Sequence, residues 1–205
     1  MNRLPRSFFA RPAPAVAHDL VGKLLVKSDD GLLARIVEAE AYTDDEPACH
    51  AYRGQTARNA PLFGPPGHAY VYFTYGMHWC MNTATGAAGE GQGCLLRAAE
   101  PLEGLDLMRE RRGGVRDRDL LRGPGRLGQA FGLGRDDSGT DLCDGGTLYI
   151  ADDGTRPAVL TGPRVGVALA PDLAWRFRAA ESGHVSPYKR HPRAGNAPAG
   201  TYSGG

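Results

Sequence analysis

The chain has 205 residues, enough for one domain with a hydrophobic core, and its formal net charge of +1 excludes a strong overall field. The 29 Gly and 15 Pro favour turns and short elements and argue against a helical bundle. Four cysteines without a Cys-x-x-Cys pair fit neither a structural zinc site nor a disulfide framework. We therefore expect free thiols and no metal or other cofactor.

The basic residues are biased towards Arg, since Lys23, Lys27 and Lys189 are the only lysines among 24 cations. The planar guanidinium suits phosphates and stacked bases, which hints at nucleic acid, although a biased genome produces the same skew. No apolar run approaches the ~20 residues of a membrane span. Prolines around Arg11 interrupt any signal-peptide core. We therefore expect a cytoplasmic protein without a membrane partner.

Alternation and turn residues predict a hairpin in the first part of the chain. We expect a short helix over 15–20, a strand over 23–27, a turn at 29–31 and a strand over 32–42. Residues 43–67 have no clean period and many turn-forming types, a pattern typical of a functional loop.

A second hairpin is predicted by the aromatic-rich strand 69–73, a tight turn at 74–77 and a returning strand over 78–83. Tyr75 falls at or beside its tip, where Gly76 supplies a permissive backbone. An aromatic ring at an exposed tip is well placed to insert between stacked bases. The alternative is a Tyr folded back on its own hairpin, and the sequence leaves both open.

The rest of the chain alternates short elements with glycine-rich loops. We expect a single domain over 1–188 and a disordered tail over 189–205, which has little to bury. The remaining predicted elements are strands over 94–98, 147–151, 164–169 and 175–179 and helices over 102–111 and 126–131.

An Arg-rich run begins in the first of these two helices and has few acids beside it. It is the best candidate for a surface that faces phosphates, although a helix with a solvated charged face explains part of the pattern. The run comprises Arg109, Arg112, Arg116, Arg118, Arg122 and Arg126.

Two acids and a ring share one face of the strand that ends at Tyr42. Every second side chain of a strand points the same way, so Glu38, Glu40 and Tyr42 lie together, opposite small apolar residues. The two carboxylates are then ~7 Å apart. The pattern suits acid–base chemistry, and the alternative is a solvated face with ordinary surface acids. Glu38 is either a second acid or the structural partner of an Arg.

Seven short motifs stand in order along the chain: Arg35-Ile-Val-Glu-Ala-Glu-Ala-Tyr42, Gln55-Thr-Ala-Arg-Asn59, Tyr70-Val-Tyr-Phe-Thr-Tyr-Gly-Met-His-Trp-Cys-Met-Asn82, Leu95-Leu-Arg-Ala-Ala-Glu-Pro-Leu-Glu-Gly104, Asp117-Arg-Asp-Leu120, Gly123-Pro-Gly-Arg-Leu-Gly-Gln-Ala130 and Arg164-Val-Gly-Val167. Together they resemble the 3-methyladenine DNA glycosylase family of the human alkyladenine type. The likeness fades in the first few residues, in 132–160 and in the tail.

This resemblance implies an α+β fold, with a single domain, a curved antiparallel β-sheet, a protruding β-hairpin and flanking helices. It implies an enzyme of base excision repair that flips an alkylated or deaminated purine out of duplex DNA and hydrolyses its N-glycosidic bond. We expect it to act as a monomer. Because no Lys falls near the pocket motifs to form a Schiff base, we expect no strand cleavage by a lyase step.

Carried over position by position, the resemblance assigns Glu40 as the base that activates water and Arg97 as a residue beside that water and the DNA backbone. Arg97 fits a buried structural ion pair equally well. Contacts to the DNA backbone are expected from Arg109, Arg112 and Arg164.

The same resemblance assigns the base pocket. Tyr42 stacks on one face of the flipped base, and His50 and Tyr72 lie on the other. Asn82 on the pocket floor disfavours guanine through its exocyclic amine, and Tyr75 intercalates into the duplex. The chain between Tyr42 and His50 is shorter than in the human-type enzymes, so a hydrogen-bonded structural His is the alternative at that position.

Two other functions fit parts of the pattern. A sugar glycosidase also uses two acids, but it has no need of a Tyr-Gly hairpin tip or an Arg-rich flank. A non-catalytic nucleic-acid-binding module uses aromatic and Arg side chains, but it has no need of Glu40. Release of free base from lesion-bearing duplex by the wild type, and not by Glu40→Gln, distinguishes all three.

Overall fold

The sheet is built around its central strand, β3 (Leu32–Tyr42). The computed structural model describes residues 1–195 of the chain. Along one edge β3 pairs with β6 (Gly93–Glu103), and along the other with β2 (Leu24–Lys27) and then β9 (Arg176–Ala179), always antiparallel. These neighbours pair the backbone of β3 along both edges, and the side chains from Ile36 to Ala41 are buried.

The outer strands extend this arrangement into one curled antiparallel half-barrel. Beyond β6 lie β5 (His78–Ala84) and β4 (Ala69–Thr74), which form a hairpin at the end of the sheet. On the other side, β7 (Leu148–Asp152) follows β2, and β1 (Asn2–Arg3) pairs with β7. β8 (Val159–Gly162) pairs with β9.

Four short helices pack on the sheet and close the core. α2 (Ala13–Leu20) contacts β3 and β6, while α4 (Pro124–Ala130) contacts β5, β6 and α3 (Leu105–Arg111). α1 (Arg6–Phe9) buries Phe9 in the same apolar cluster. Single 3-10 turns occur at Ala60–Phe63, Asp117–Asp119 and Arg135–Asp137. The expected α+β class, with a curved antiparallel sheet, a hairpin and flanking helices, is confirmed.

The predicted helix over 102–111 begins later than expected. β6 continues to Glu103, and Gly104 takes a φ of 77° between strand and helix. This left-handed conformation suits glycine and separates the two elements. The amphipathic pattern was thus correct from Leu105 onward and wrong before it.

The strand predicted over 164–169 is wrong. Gly166 has a φ of 68° and turns the chain. The amide of Val165 donates to the Glu40 carboxylate and that of Gly166 to the carbonyl of Lys189, so neither pairs with a neighbouring strand. An apolar run of this length is compatible with a strand, but a strand also needs its backbone donors for pairing, and here they bond other groups.

Part of the predicted tail is attached to the body of the protein. Besides the Lys189 carbonyl, Arg190 contacts the domain, pairing with Asp172 at 3.0 Å. Residues 196–205 of that prediction lie outside the described residues. In the part of the chain that is described, no helix is both long and apolar enough to cross a bilayer. The four cysteines are free thiols.

Candidate active site

Irregular pairing between β3 and β6 brings three charged side chains together. The register slips on both sides of Glu38. As a result, Val37 of β3 has no partner on β6, and Arg97 of β6 has no partner on β3. Such bulges redirect side chains and are common beside active sites. Glu38 and Glu40 are both 0% exposed, and Arg97 contacts each of them.

The Glu40 carboxylate accepts hydrogen bonds on both oxygens. Oε1 accepts from the Val165 amide at 2.7 Å, and Oε2 accepts from the Tyr42 hydroxyl at 2.8 Å and from Nη1 of Arg97 at 3.3 Å. Each carboxylate oxygen has two lone pairs, so Oε1 keeps the capacity to accept from one more donor, such as a water molecule.

The Glu38 carboxylate is bound more completely. Its Oε1 accepts from Nε of Arg176 at 2.6 Å, the Ser186 hydroxyl at 2.9 Å and Nε of Arg97 at 3.2 Å. Its Oε2 accepts from the Ser186 amide at 2.7 Å. This placement matches the alternative in which Glu38 is the structural partner of an Arg, and not the one in which it is a second acid.

The two acids and the guanidiniums of Arg97 and Arg176 form a buried cluster of balanced charge. Burial by itself lowers the pKa of Arg97, but Glu40 and Glu38 outweigh that effect and raise it above the ordinary value. Arg97 is therefore a permanent cation beside Glu40. Removing one member of such a cluster leaves a buried unpaired charge, at a typical cost of about 3–5 kcal/mol.

A cavity of about 310 Å³ lies next to this cluster. The structure brings Tyr42, His50, Tyr72 and Asn82, the four residues predicted to form the base pocket, together in its wall. Glu40 is not among the described lining residues; it is fully buried and accepts from the Tyr42 hydroxyl. The Tyr42 hydroxyl therefore connects the wall of the cavity to the buried acid.

One wall of the cavity is a cluster of rings. His50 meets Tyr72 edge-on at 4.6 Å between centroids, and Tyr70 stacks on Tyr72 at 5.0 Å. The Tyr70 hydroxyl lies 3.1 Å from Nδ1 of His50. His50 is exposed as a residue, but protein packed around its imidazole, and secondarily the Arg58 cation, lowers the pKa of His50 below 6.5. The ring is therefore neutral at physiological pH, although part of it stays accessible.

Asn59 holds the loop that carries His50. Its buried side-chain amide donates to the carbonyls of His50 at 2.9 Å and Gly54 at 3.1 Å, and its Oδ1 accepts from the Thr56 amide. The Gln55–Asn59 motif thus acts as a local brace, and it orders a loop without regular secondary structure around the cavity.

Arg164 lies over a face of the Tyr42 ring, with its guanidinium carbon 4.5 Å from the ring centroid. It is 1% exposed and pairs with Glu46 at 2.6 Å. Burial, and secondarily Glu40, raises the pKa of Tyr42 well above 10. The phenol therefore stays protonated and donates to Glu40.

The floor of the cavity carries a polar atom without a partner. Asn82 is 6% exposed, and its Oδ1 accepts no hydrogen bond from any described residue. A buried acceptor without a donor is unfavourable, so this position favours a ligand that offers an N–H or O–H group. The exocyclic amine of guanine is itself such a donor, so the expected exclusion of guanine by Asn82 requires a steric clash and not a missing hydrogen bond.

Tyr75 occupies the tip of the β4–β5 hairpin. It is 84% exposed, and its φ of 53° is in the left-handed region that is uncommon for residues other than glycine. Gly76 beside it has a φ of 68°, and Met77 is 67% exposed. The alternative of a Tyr folded back on the hairpin does not fit this placement.

The three arginines assigned to the DNA backbone are not equivalent. Arg109 is half-exposed and bonded to Asp106 and Asp117, and Arg112 binds the carbonyl of Leu120 and the side chain of Gln129. The two aspartates partly neutralise the charge of Arg109, whereas these two partners of Arg112 are uncharged. The assignment of Arg164 needs correction, because its guanidinium is buried in an ion pair where a phosphate cannot reach it.

Sequence reasoning missed the residues that surround Glu38. Arg176 and Ser186 lie more than 130 residues from Glu38 along the chain, at separations of 138 and 148. The alternating pattern around Arg176 predicted a strand, but nothing local marked its partner. Cys49, which also lines the cavity, was visible only as one of four scattered cysteines; burial raises its pKa to about 11.

Comparison with known proteins agrees with the motifs. Residues 7–183 match the family model of methylpurine-DNA glycosylase. Related proteins, provisionally named 3-methyladenine DNA glycosylases, occur in several bacteria. That of Burkholderia lata is 51% identical over 188 residues, covering 89% of this chain and 90% of the relative. That of Carboxydothermus hydrogenoformans is 46% identical over 187 residues, covering 89% and 98%.

A relative from Streptomyces avermitilis with the same provisional name is 46% identical over 197 residues, covering 92% of each chain. The resemblance inferred from the seven motifs is confirmed. The chain belongs to the methylpurine-DNA glycosylase family, whose name denotes DNA-repair hydrolases of the N-glycosyl bond.

Proposed function

We propose that this chain flips alkylated or deaminated purines out of duplex DNA and hydrolyses their N-glycosidic bond, leaving an abasic site. The observation that carries this proposal is the hydrogen bond from the Tyr42 hydroxyl to the Glu40 carboxylate, which connects an aromatic cavity to a buried acid. A binding module would have use for the rings, but not for an ionisable acid buried at this cost. A sugar glycosidase would have no use for an exposed ring at a hairpin tip.

The cavity walls suit a flipped purine. Rings on both sides replace the stacking that the base loses when it leaves the helix, worth about 1–3 kcal/mol per base. Tyr42, Tyr72 and His50 all line the cavity, and in this proposal Tyr42 stacks on one face of the base and Tyr72 with His50 on the other. Alkylated purines that carry a positive charge gain further from aromatic faces. The neutral state of His50 avoids repelling such a cation.

The acid would act on the sugar. Breaking the bond between C1′ and the base nitrogen sends its electron pair to the base and leaves positive charge on the sugar. Glu40 stabilises that charge and takes a proton from water as the water oxygen bonds to C1′. Arg97 holds the carboxylate in place. A cationic alkylated purine leaves as the neutral base, whereas a deaminated purine leaves as an anion and takes up a proton from solvent. Glu40 returns its proton to solvent, and the products are the free base and an abasic sugar.

Tyr75 would fill the space left in the duplex. Exposed at the tip of a two-stranded hairpin, its ring can enter the base stack and hold the flipped state open. The left-handed backbone at Tyr75 turns the chain sharply enough to place the ring at the extreme end of the hairpin.

We expect no lyase step. None of the described lining residues is a lysine. Lys23 pairs with Asp152 at 2.8 Å and Lys27 with Asp30 at 3.3 Å. Lys189 is the lysine to test, because its carbonyl contacts Gly166 in the cavity wall. Trapping with borohydride should give no covalent complex with abasic DNA, and Lys189→Ala should leave base release unchanged.

The test uses duplex oligonucleotides that each carry one lesion: 7-methylguanine, hypoxanthine or ethenoadenine. Wild type should release the free base and bind with one protein per lesion, as expected of a monomer. Glu40→Gln should bind the same duplex and release nothing. Binding without release by the wild type would favour the non-catalytic module, and release by Glu40→Gln would remove Glu40 from the mechanism.

A further inference from the structure

Ser186 lies in the segment that follows β9 and contacts the buried cluster through Glu38 and Arg97. We propose that Ser186 and Glu38 are positioning residues for Arg97. Through Arg97 they hold Glu40 in its working geometry, so the C-terminal segment (residues 183–190) belongs to the functional site. This inference rests on the proposed function, in which Glu40 and Arg97 act on the glycosidic bond.

The three nitrogens of the Arg97 guanidinium each have a different partner. Nη1 donates to Glu40 at 3.3 Å, Nε to Glu38 at 3.2 Å and Nη2 to the Ser186 hydroxyl at 3.4 Å. The fork is planar and rigid, so two of these contacts fix where the third nitrogen points. The position of Nη1 beside Glu40 is therefore set by Glu38 and Ser186.

Every polar atom of Ser186 is used in this cluster. Its amide and hydroxyl donate to the two oxygens of Glu38, at 2.7 and 2.9 Å. Its hydroxyl oxygen also accepts from Arg97, and its carbonyl accepts from Arg176 at 2.8 Å. Ser186 is 6% exposed. Ser186 is thus a buried residue that bonds Glu38 directly and is connected to Glu40 through the guanidinium of Arg97.

The C-terminal segment is anchored on either side of Ser186. Arg118 donates to the carbonyl of Gly183 at 2.9 Å, and Arg122 to that of Val185 at 2.8 Å. At its other end, the Lys189 carbonyl accepts from Gly166 in the cavity wall. The segment therefore runs from the Arg-rich region to the lesion cavity and passes the acid cluster between them.

A purely structural role accounts poorly for this cluster. Buried ion pairs lose hydration, and apolar side chains of similar volume often stabilise a fold as well or better. What apolar residues cannot do is orient a guanidinium. Among the described donors to Glu38, Arg97 also bonds Glu40 and the Ser186 hydroxyl, and this favours positioning over simple cohesion.

The test is Ser186→Ala, compared with Ser182→Ala. The first removes a hydroxyl that bonds Glu38 and Arg97 but keeps the backbone amide. The second makes the same change four residues earlier, where the hydroxyl accepts only from the His184 amide. Ser186→Ala should lower the single-turnover rate of hypoxanthine release about tenfold, with the lesion-DNA Kd within about twofold of wild type. Ser182→Ala should match wild type in both.

A second comparison asks whether Ser186 acts through Arg97. In an Arg97→Lys background, where the cation cannot bind all three partners, Ser186→Ala should have no further effect on rate. A merely structural role predicts equal rate losses in both backgrounds. Ser186→Cys, with similar volume and a weaker donor, should fall between wild type and Ala, and it carries the test if Ser186→Ala does not fold.

The outcomes of these assays distinguish a failure of this inference from a failure of the proposed function on which it rests. If wild type releases base, Glu40→Gln does not, and Ser186→Ala matches wild type, the inference fails and the proposed function stands. Additive losses in the Arg97→Lys background, or a loss confined to Kd, also overturn it. If wild type releases no base from any lesion duplex, the proposed function fails first.

Discussion

The hydroxyl of Tyr42 donates to Oε2 of Glu40 across 2.8 Å and so connects the ring that lines the cavity to a buried acid. Both residues lie on one face of β3, two positions apart, as the strand period requires. The guanidinium of Arg164 lies over the ring, with its carbon 4.5 Å from the ring centroid. The ring and the acid are therefore fixed relative to each other before a base arrives, which is the preorganisation that catalysis needs.

Tyr42→Phe tests this connection directly. The variant keeps the stacking ring and leaves Oε2 of Glu40 with Arg97 as its donor. Base release in a single turnover should slow about tenfold while the lesion-DNA Kd stays within about twofold. Tyr42→Leu is the contrast, because it removes stacking worth about 1–3 kcal/mol and should weaken binding as well. A Tyr42→Phe enzyme with the wild-type rate would contradict the link.

Tyr75→Asn should separate stability from activity. Asn tolerates the left-handed backbone better than Tyr does, and the exposed ring contributes little to the core. We expect the free energy of unfolding to stay equal or rise by up to about 1 kcal/mol, the lower end of the cost of left-handed strain. Release of hypoxanthine from duplex should fall, because the wedge is lost.

Chemical denaturation and single-turnover assays measure the two effects of this variant. Tyr75→Phe is the matched control, since it keeps the ring and should keep most of the activity. If Tyr75→Asn flips and releases bases as wild type does, the tip has no role in opening the duplex.

Much of the site could be predicted because its chemistry lies within single strands. Alternation alone placed Glu38, Glu40 and Tyr42 on one face, and turn residues placed Tyr75 at a hairpin tip. These are local properties, fixed by strand geometry and by the backbone freedom of Gly76. The structure agrees with all of these placements.

What could not be predicted depends on long-range contacts. Whether Arg164 faces a phosphate or a buried Glu46 is decided by the path of a loop, which sequence patterns do not encode. The same holds for Ser186, whose neighbours resemble an ordinary surface segment until the chain returns to β3. The predicted strand over 164–169 failed for the same reason, because its amides serve Glu40 and Lys189.

His50 should make stability depend on pH. Burial and Arg58 lower its pKa in the folded state below the 6.5 of an unfolded chain. As pH falls below 6.5, the unfolded chain binds a proton that the folded protein resists, so stability is lost. Between about pH 7 and 5, urea denaturation should show a shallower loss for His50→Gln than for wild type. Equal slopes would mean that His50 is not held neutral by its neighbours.

Gly128→Ala should destabilise the protein even though Ala favours helices. Gly128 lies in α4, where a Cβ would stand 2.0 Å from the carbonyl oxygen of Trp79 on β5. That oxygen belongs to the backbone, so the helix and the hairpin must move apart. Overpacking of this kind costs about 1–3 kcal/mol, more than the roughly 1 kcal/mol that Ala gains over Gly in a helix.

Gly134→Ala is the matched control for this change. No heavy atom lies within 4 Å of a Cβ at that position, and its φ of −145° is open to any residue. Its stability should stay within about 0.5 kcal/mol of wild type, as for other surface substitutions. Urea denaturation measures both variants. Because α4 packs on β5 close to the turn that carries Tyr75, Gly128→Ala should also weaken binding to lesion-bearing duplex. Unchanged stability and binding would show that α4 does not set the position of the hairpin.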